Sequence, residues 1–546
     1  MEKWLLVFLF LFLLAIKVAY ALNFRIESDE LQHLHVVWGW VTGRLPYRDI
    51  FDNHGPLFHL LCAPIFSLFG ERADIVIPMR FAMFPLWLWS LWSVYAIGKS
   101  LYSPRIAAWA VLLAAFFPEF LFTSTEFRTD DLWMALWLSV LSILIGAKLT
   151  RARAFVAGLL LGAAFTVTVK TGLMLGAVTV AGVWIWIWKW KRQETIDWKP
   201  QFGFMVAGGL GLAILPLAFA LFFWSRGAFD AFVYCNITHN LVPHTQNWNQ
   251  FDGHLLWLPL AIVAAVIGLF RSASLQEAVW VRRIFLALVT LFYFAALKTL
   301  FPTLTRQDDL PYLPLLAIFA SAAIHYGTRP QAMRFMPKMG TVCALLVVVV
   351  ANIGLAFRMS PPLQNKNREE IAMIADTLRV TKRSDLVMDA IGETIFRDRP
   401  FYYAIEAFTK ARFAVGSIPN RIAERLVETG TAVVRPRGLP ESTKRFIDQN
   451  YVGLGADLCV LGKIIPVRNG NGRDPIHFTS VIPGRFVVIS KQGKLLSGKV
   501  DGVVFNGSCA LSIGEHALFL DNGMTDRMAI FWENAFLRGF LPFKRP

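Results

Sequence analysis

Uninterrupted apolar stretches decide what this chain can become. They fall at 4–22, 78–98, 104–122, 132–147, 154–169, 171–188, 203–224, 255–270, 284–301, 310–326 and 340–357. Hydrocarbon offers no water to backbone N–H and C=O groups, so a spanning segment must pair them internally. Continuous apolar runs do so as helices, whereas a membrane barrel needs alternation. The reading is an α-helical polytopic membrane protein of about 11 spans, give or take one or two, because several runs fall short of the ~20 residues a perpendicular helix uses. Run 57–70 is shorter and reads as an interfacial or re-entrant helix. The first run ends in Ala19-Tyr20-Ala21, like a signal-peptidase site, but its length and Lys17 favour a retained helix.

Loop charge orients the spans. With the N-terminus in the cytoplasm, alternate loops carry Lys99 and Arg105; Lys148, Arg151 and Arg153; Lys189, Lys191, Arg192 and Lys199; Arg271, Arg282 and Arg283; and Arg329, Arg334 and Lys338. Each is basic, as cytoplasmic loops are. Lys and Arg total 54 against 38 Asp and Glu, and the +16 balance is assigned to these loops and to anionic lipid rather than to nucleic acid. The other loops face outward: 23–77, 123–131, the turn at Lys170, 226–254 and 303–309.

From 358 the chain turns polar. Helix signals at 369–378, 421–429 and 441–449 alternate with strand signals at 385–390, 431–435 and 457–461, which predicts an α/β module over 358–470. Short strands between Gly turns predict a β-rich, sandwich-type module over 471–546. The domains expected are therefore a membrane domain at 1–357, with its acidic outer loop at 23–77, and a two-part C-terminal domain outside the cytoplasm. The five cysteines show no metal-ligand spacing, and Cys459 could pair with Cys509 in that compartment.

The acidic loop and its outer neighbours hold the residue types that do chemistry. Asp29 and Glu30 could take a proton from an attacking hydroxyl or amine, or could simply begin a helix behind Ser28. Arg128 lies between Glu126 and Asp130-Asp131; it either joins an ion-pair network or grips a phosphate. Lys170 and Arg306 have the same two readings, snorkelling being the plain one for Lys170. Asp49 and Asp52 precede His54 in the same loop as His33 and His35, with no HExxH or comparable spacing, so a divalent metal stays open.

Taken together, Asp29-Glu30 after the first span, Gly43-Arg44-Leu45-Pro46-Tyr47 with Asp49, Gly55-Pro56-Leu57, Arg80, Glu126-Phe127-Arg128 with Asp130-Asp131, and Tyr312-Leu313-Pro314-Leu315-Leu316 resemble the C-type multi-span glycosyltransferases. The likeness is nearest to the bacterial protein O-mannosyltransferase-like branch, which includes lipid A aminoarabinose transferases and lipopolysaccharide galacturonosyltransferases. It covers 1–357. It implies a polyprenyl-phosphate sugar as donor, a lipid, glycan or protein as acceptor, and inversion at the outer face of a bacterial inner membrane. Asp29, with Glu30 beside it, matches the catalytic carboxylate; Arg128, Lys170, Arg306 and His54 would bind the donor phosphate; Asp49, Asp52, Glu126, Asp130 and Asp131 would support them. Relatives often have Lys-Pro-Pro-Leu where this chain has His54-Gly55-Pro56-Leu57, which implies a shifted phosphate grip or a different donor headgroup. A transporter or flippase for a lipid-linked or anionic substrate is the alternative. It would ordinarily show internal repeats and charges within the spans of both halves.

Overall fold

The computed structural model describes residues 1–146, 148–193, 198–241, 277–300, 305–328, 337–455, 457–466, 475–521 and 527–543. Its first half is helical: α1 (Glu2–Asn23), α2 (Ser28–Val41), α3 (Leu57–Phe69), α4 (Val76–Ala82), α5 (Phe84–Leu101), α6 (Pro104–Phe116), α7 (Pro118–Thr123), α8 (Thr129–Ile145), α9 (Arg151–Phe165), α10 (Thr171–Lys191), α11 (Trp198–Ser225) and α12 (Phe229–Val233). Helices Glu277–Leu300, Leu313–Gly327 and Pro337–Met359 follow. Ten of the eleven apolar runs thus hold helices; run 255–270 lies outside the described residues. Six helices among the described residues are long and apolar enough to cross a membrane.

Proline divides two of the runs. Pro85 opens α5 just after α4, and Pro118 opens α7 behind an extended Phe117. A proline has no N–H to give and disfavours helical backbone before it. The segment α3 is the short helix expected at the interface and stops at Gly70, φ 66°. On α11, Phe202, Leu210, Leu217, Leu221 and Trp224 are all exposed, as side chains facing lipid tails are.

Glycine sets the closest helix contact. A Cβ on Gly162 would lie 2.4 Å from the Leu212 carbonyl, and one on Gly158 would lie 2.0 Å from that of Gly208. Backbones of α9 and α11 therefore touch where any side chain would separate them. The first helix is pinned at both ends. At its start, Glu2 accepts from Arg105 (2.6 Å) and Trp109 (3.0 Å). At its far end, Tyr20 donates to the Ser360 carbonyl (2.7 Å) and the Leu22 carbonyl accepts from Asn367 (2.6 Å).

The C-terminal domain starts with helix Arg368–Val380 and continues as β1 (Val387–Met388), β2 (Val433–Val434), β3 (Tyr451–Gly455), β4 (Leu458–Ile465), β5 (Ile476–Ser480), β6 (Gly484–Ser490), β7 (Ser497–Val500), β8 (Val503–Asn506), β9 (Ser508–Leu511), β10 (Gly514–Leu520) and β11 (Met528–Trp532). The strands form one hydrogen-bonded sheet in the order β1-β2-β4-β11-β6-β9-β8-β7-β10-β5, with β3 also on β4. This corrects the expectation of a separate sandwich-type module: β4 pairs with β2 at Val460 and Cys459 and with β11 from Gly462 to Ile465, so the two parts share a sheet. Cys459 and Cys509 are both free, which overturns their suggested pairing; they lie on β4 and β9, strands with others between them.

Glycine packing leads to a direct expectation. Gly162→Leu should lower the thermal unfolding midpoint of the purified protein, at a cost of about 1–3 kcal/mol. Gly176→Leu, whose Cβ would meet nothing within 4 Å, should leave it near the wild-type value.

Candidate active site

The first turn of α2 places two adjacent carboxylates in opposite environments. A capping box fixes it, with Glu27 as the cap and its backbone N–H donating to Glu30 Oε1 at 3.0 Å. Arg80, from α4, donates through Nε and Nη2 to Glu30 Oε2 and Oε1 at 2.7 and 2.6 Å. The Phe127 N–H adds a third tie to Oε2 at 2.8 Å. Both Glu30 and Arg80 are wholly buried. Arg80 also donates to the carbonyls of Phe24 (2.8 Å) and Arg25 (2.7 Å). Glu30 therefore has no oxygen available to an incoming substrate, contrary to its expected share in catalysis.

Asp29, one residue earlier, is 40% exposed and pairs with Arg128. Arg128 is also ringed by Glu126 (3.3 Å) and Asp130 (3.4 Å), so the ion-pair network is realised in this structure. Burial pulls the Asp29 carboxyl upward, but the charges of Arg128, His54 and Lys170 outweigh it and hold Asp29 below the usual carboxylate range. Burial pushes Glu126 the other way.

Two further outer residues, His54 and Lys170, act on the same carboxylate. A Cβ on Gly55 would strike the Thr166 carbonyl at 2.2 Å, and the Gly55 N–H donates to the Val167 carbonyl at 2.8 Å. This close approach lays the His54 loop on the turn between α9 and α10, where Lys170 sits. His54 Nδ1 lies 3.1 Å from Asp52 Oδ1, while Asp52 Oδ2 lies 3.2 Å from His59. His59 in turn meets His33 at 3.0 Å, and the His33 ring stands against that of His54 with centroids 4.7 Å apart. Lys170 pairs with buried Asp308. Asp308 is fixed by Thr305, whose N–H and hydroxyl donate to it at 2.9 and 3.0 Å. The Arg306 side chain lies outside the described residues, although its 3-10 turn carries Asp308.

Two supporting residues do other work. Asp49 accepts from the Leu45 N–H and pairs with Arg48, bracing the turn in which buried Tyr47 takes φ 69°. Asp131 is wholly buried and lies within electrostatic reach of Lys17, itself buried and bonded to Ser124 at 2.8 Å. Sequence reasoning missed His59 and Asp308. Each is a polar residue beside or within an apolar run, which is the signal that was present. Among the described residues, no group of three or more His, Cys, Asp or Glu is placed to hold a metal ion.

Above Asp29 opens a cavity of about 510 Å³. One wall is the start of α2, with Arg25, Glu27 and Asp29; the other is the C-terminal domain, with Glu370, Glu393 and Arg437. The walls are tied by Arg44 to Asp398, by Arg397 to Glu71 (3.4 Å), and by Tyr402 to the Tyr47 carbonyl. The arrangement joins an ionised carboxylate, a cluster of cations on one side and a polar cavity on the other.

Residues 53–219 match the family model described as dolichyl-phosphate-mannose-protein mannosyltransferase. No curated protein matches the sequence. The fold is similar to that of ArnT from Cupriavidus metallidurans in the apo state, with TM-score 0.56 and 13% identity over 83% of this chain and 96% of that one. The same protein bound to undecaprenyl phosphate gives TM-score 0.55 and 13% identity over 82% and 94%. The Archaeoglobus fulgidus oligosaccharyltransferase tethered with an acceptor peptide gives 0.50 and 10% over 94% and 76%. The resemblance to C-type multi-span glycosyltransferases is borne out, as is a polytopic helical fold with a β-rich C-terminal region.

The two carboxylates should separate in a stability measurement. Glu30→Ala leaves Arg80 buried without its partner and should cost about 3–5 kcal/mol. Asp29→Asn should move the unfolding midpoint far less, because Arg128 keeps Glu126 and Asp130.

Proposed function

We propose that this multi-pass membrane protein transfers a sugar from a polyprenyl-phosphate donor to a lipid, glycan or protein acceptor, with Asp29 as the base. The observation that carries the reading is the position of Asp29: part exposed, held ionised by Arg128, and lining the cavity while His54 and Lys170 act on it from behind. The matched family model is of an enzyme class that uses a lipid-phosphate sugar, and ArnT has been solved holding undecaprenyl phosphate, a lipid of the kind this reaction would release.

The chemistry then runs in one displacement. An acceptor hydroxyl or amine gives its proton to Asp29 as its oxygen or nitrogen bonds to the anomeric carbon. The bond from that carbon to the phosphate oxygen breaks on the opposite face, which inverts the centre. The lipid phosphate leaves with the electron pair, and Lys170, His54, Arg128 and Arg306 stabilise its charge. For Arg128 and Lys170 this requires the phosphate to share cations that now hold Asp29 and Asp308. His54 takes the place of the lysine that relatives carry, and buried Asp52 fixes its Nδ1 side. Glu126, Asp130 and Asp52 orient these cations, and Glu30 orients the helix that bears the base. In this reading the reaction runs on the outer face of a bacterial inner membrane, with the C-terminal domain outside the cytoplasm, as the basic alternate loops support.

The test is transfer from a panel of radiolabelled polyprenyl-phosphate sugars to a membrane extract. Asp29→Asn should lower turnover by about 10²–10⁴-fold while donor binding persists; wild-type turnover in this variant would remove Asp29 as base. If no donor is consumed and a labelled lipid crosses vesicle membranes instead, the transporter reading takes over. A pH profile gives a second check. Asp29 must be ionised, so the rate falls only as pH drops through its lowered pKa, and the acid limb lies below the ordinary carboxylate range. Arg128→Met removes the charge that lowers it and should move that limb to higher pH.

A further inference from the structure

The C-terminal wall of the cavity holds a carboxyl group with an unmet hydrogen-bonding need. Glu393 is 5% exposed and lines the cavity with Asp29, yet its Oε2 has no hydrogen-bond partner. Its Oε1 lies 3.4 Å from Arg435 Nη1, an atom that itself forms no hydrogen bond. Arg435 is turned chiefly toward Glu370, at 2.8 Å. Buried polar atoms are nearly always satisfied, so an orphan oxygen on a carboxyl group that lines a cavity points to a partner that a small turn of that group would meet in the cavity. Burial outweighs Arg435 and pushes the Glu393 carboxyl upward, toward a form that can donate as well as accept.

Nothing about this loop is loose. Asp389 accepts from the N–H groups of Gly392 (2.6 Å) and Thr394 (2.7 Å) and from the Thr394 hydroxyl (2.7 Å), and Arg399 pairs with it at 3.1 Å. Gly392 takes φ 97°, and a Cβ there would meet the His35 ring at 2.7 Å. His35 Nδ1 meets the Ile395 carbonyl at 2.7 Å. His35 belongs to α2, the helix whose first turn carries Asp29. One rigid unit therefore sets the two carboxyl groups on the same cavity, from opposite domains.

We propose that Glu393 binds the acceptor, holding a hydroxyl next to the one that attacks, and that the acceptor unit is a saccharide bearing neither phosphate nor carboxylate. The proposal rests on the reading of Asp29 as base. The character of the cavity supports it. Besides Glu393, five carboxylates line it against four cations, and two of those cations, Arg25 and Arg437, are already paired with Glu27 and Glu370. A phosphate or carboxylate entering there would meet like charge, whereas sugar hydroxyls supply the donors that carboxylates accept.

The experiment uses the full-length protein in lipid nanodiscs, the labelled donor that it consumes, and total membrane extract as acceptor. Glu393→Ala should raise the extract concentration for half-maximal rate roughly tenfold. Its maximal rate, and the slow loss of donor to water, should stay at wild-type values. Glu393→Gln, which still donates and accepts, should remain within about threefold of wild type in half-saturation, consistent with hydrogen bonding as the role. If the Ala variant has a lowered unfolding midpoint, Glu393→Met, similar in volume and without strong hydrogen-bonding groups, decides in its place. The product is then digested to the unit carrying the label and weighed; a mass without phosphate or carboxylate is the expected result. An unchanged half-saturation in the deciding variant, or an acidic group on the labelled unit, overturns the proposal. Wild-type turnover in Asp29→Asn would instead overturn the base assignment, a failure that the Glu393 readings cannot imitate.

Discussion

Everything near the candidate site hangs on the buried pair between Glu30 and Arg80. It joins three pieces of chain that the sequence keeps apart: the end of α1, whose carbonyls Arg80 also holds; α4, which bears the arginine; and the 123–128 segment, whose Phe127 N–H reaches Glu30. A desolvated ion pair repays its cost only when the remaining donors and acceptors are met, and here backbone groups meet them. Because Glu30 is held so completely, its neighbour Asp29 is turned about 100° round the helix, toward the cavity. Of two adjacent acids on one helical turn, burial of Glu30 thus goes with exposure of Asp29.

Charge in this site is arranged by side. Arg128, His54 and Lys170 each have a carboxylate partner from the membrane domain, which offsets the cost of drawing such side chains out of water. Those partners are also competitors for any phosphate that arrives. Binding there is an exchange of one anion for another, which favours a ligand of the same charge type and geometry. On the far side the cavity is bounded by the C-terminal domain, whose loops reach the membrane domain through His35, Tyr47 and Glu71.

The helical part was legible because hydropathy is a property of consecutive residues. Ten runs became helices, and the breaks at Met83 and Phe117 lie just before prolines, Pro85 and Pro118, that are plain in the sequence. Alternation also located β1, β2 and β4, and Gly turns located the hairpins beyond. The shared sheet was not legible, since the pairing of β4 with β11 joins strands far apart in the chain and leaves no local pattern. Asp29 and Glu30 could not be told apart for the same reason: what separates them is Arg80, fifty residues away in the chain. Arg128 among acids was read with both outcomes open, and the structure realises the ion-pair network. Glu393 carried no signal at all, because its unusual feature is an absent partner, which only three dimensions reveal.

The doubly pinned first helix has a consequence for where the reaction sits. With 22 residues it is roughly 33 Å long, close to the ~30 Å thickness of a bilayer's hydrocarbon. One end is tied to α6 through Glu2, the other to the C-terminal domain through Tyr20 and Leu22. Asp29, the proposed base, follows six residues later, so α1 acts as a ruler that fixes its height above one leaflet. The phosphate of a polyprenyl-phosphate donor would be held near the end of such a span by its own chemistry. The bilayer thus serves as a reference surface for the site, and lipid length becomes a variable of the active-site geometry.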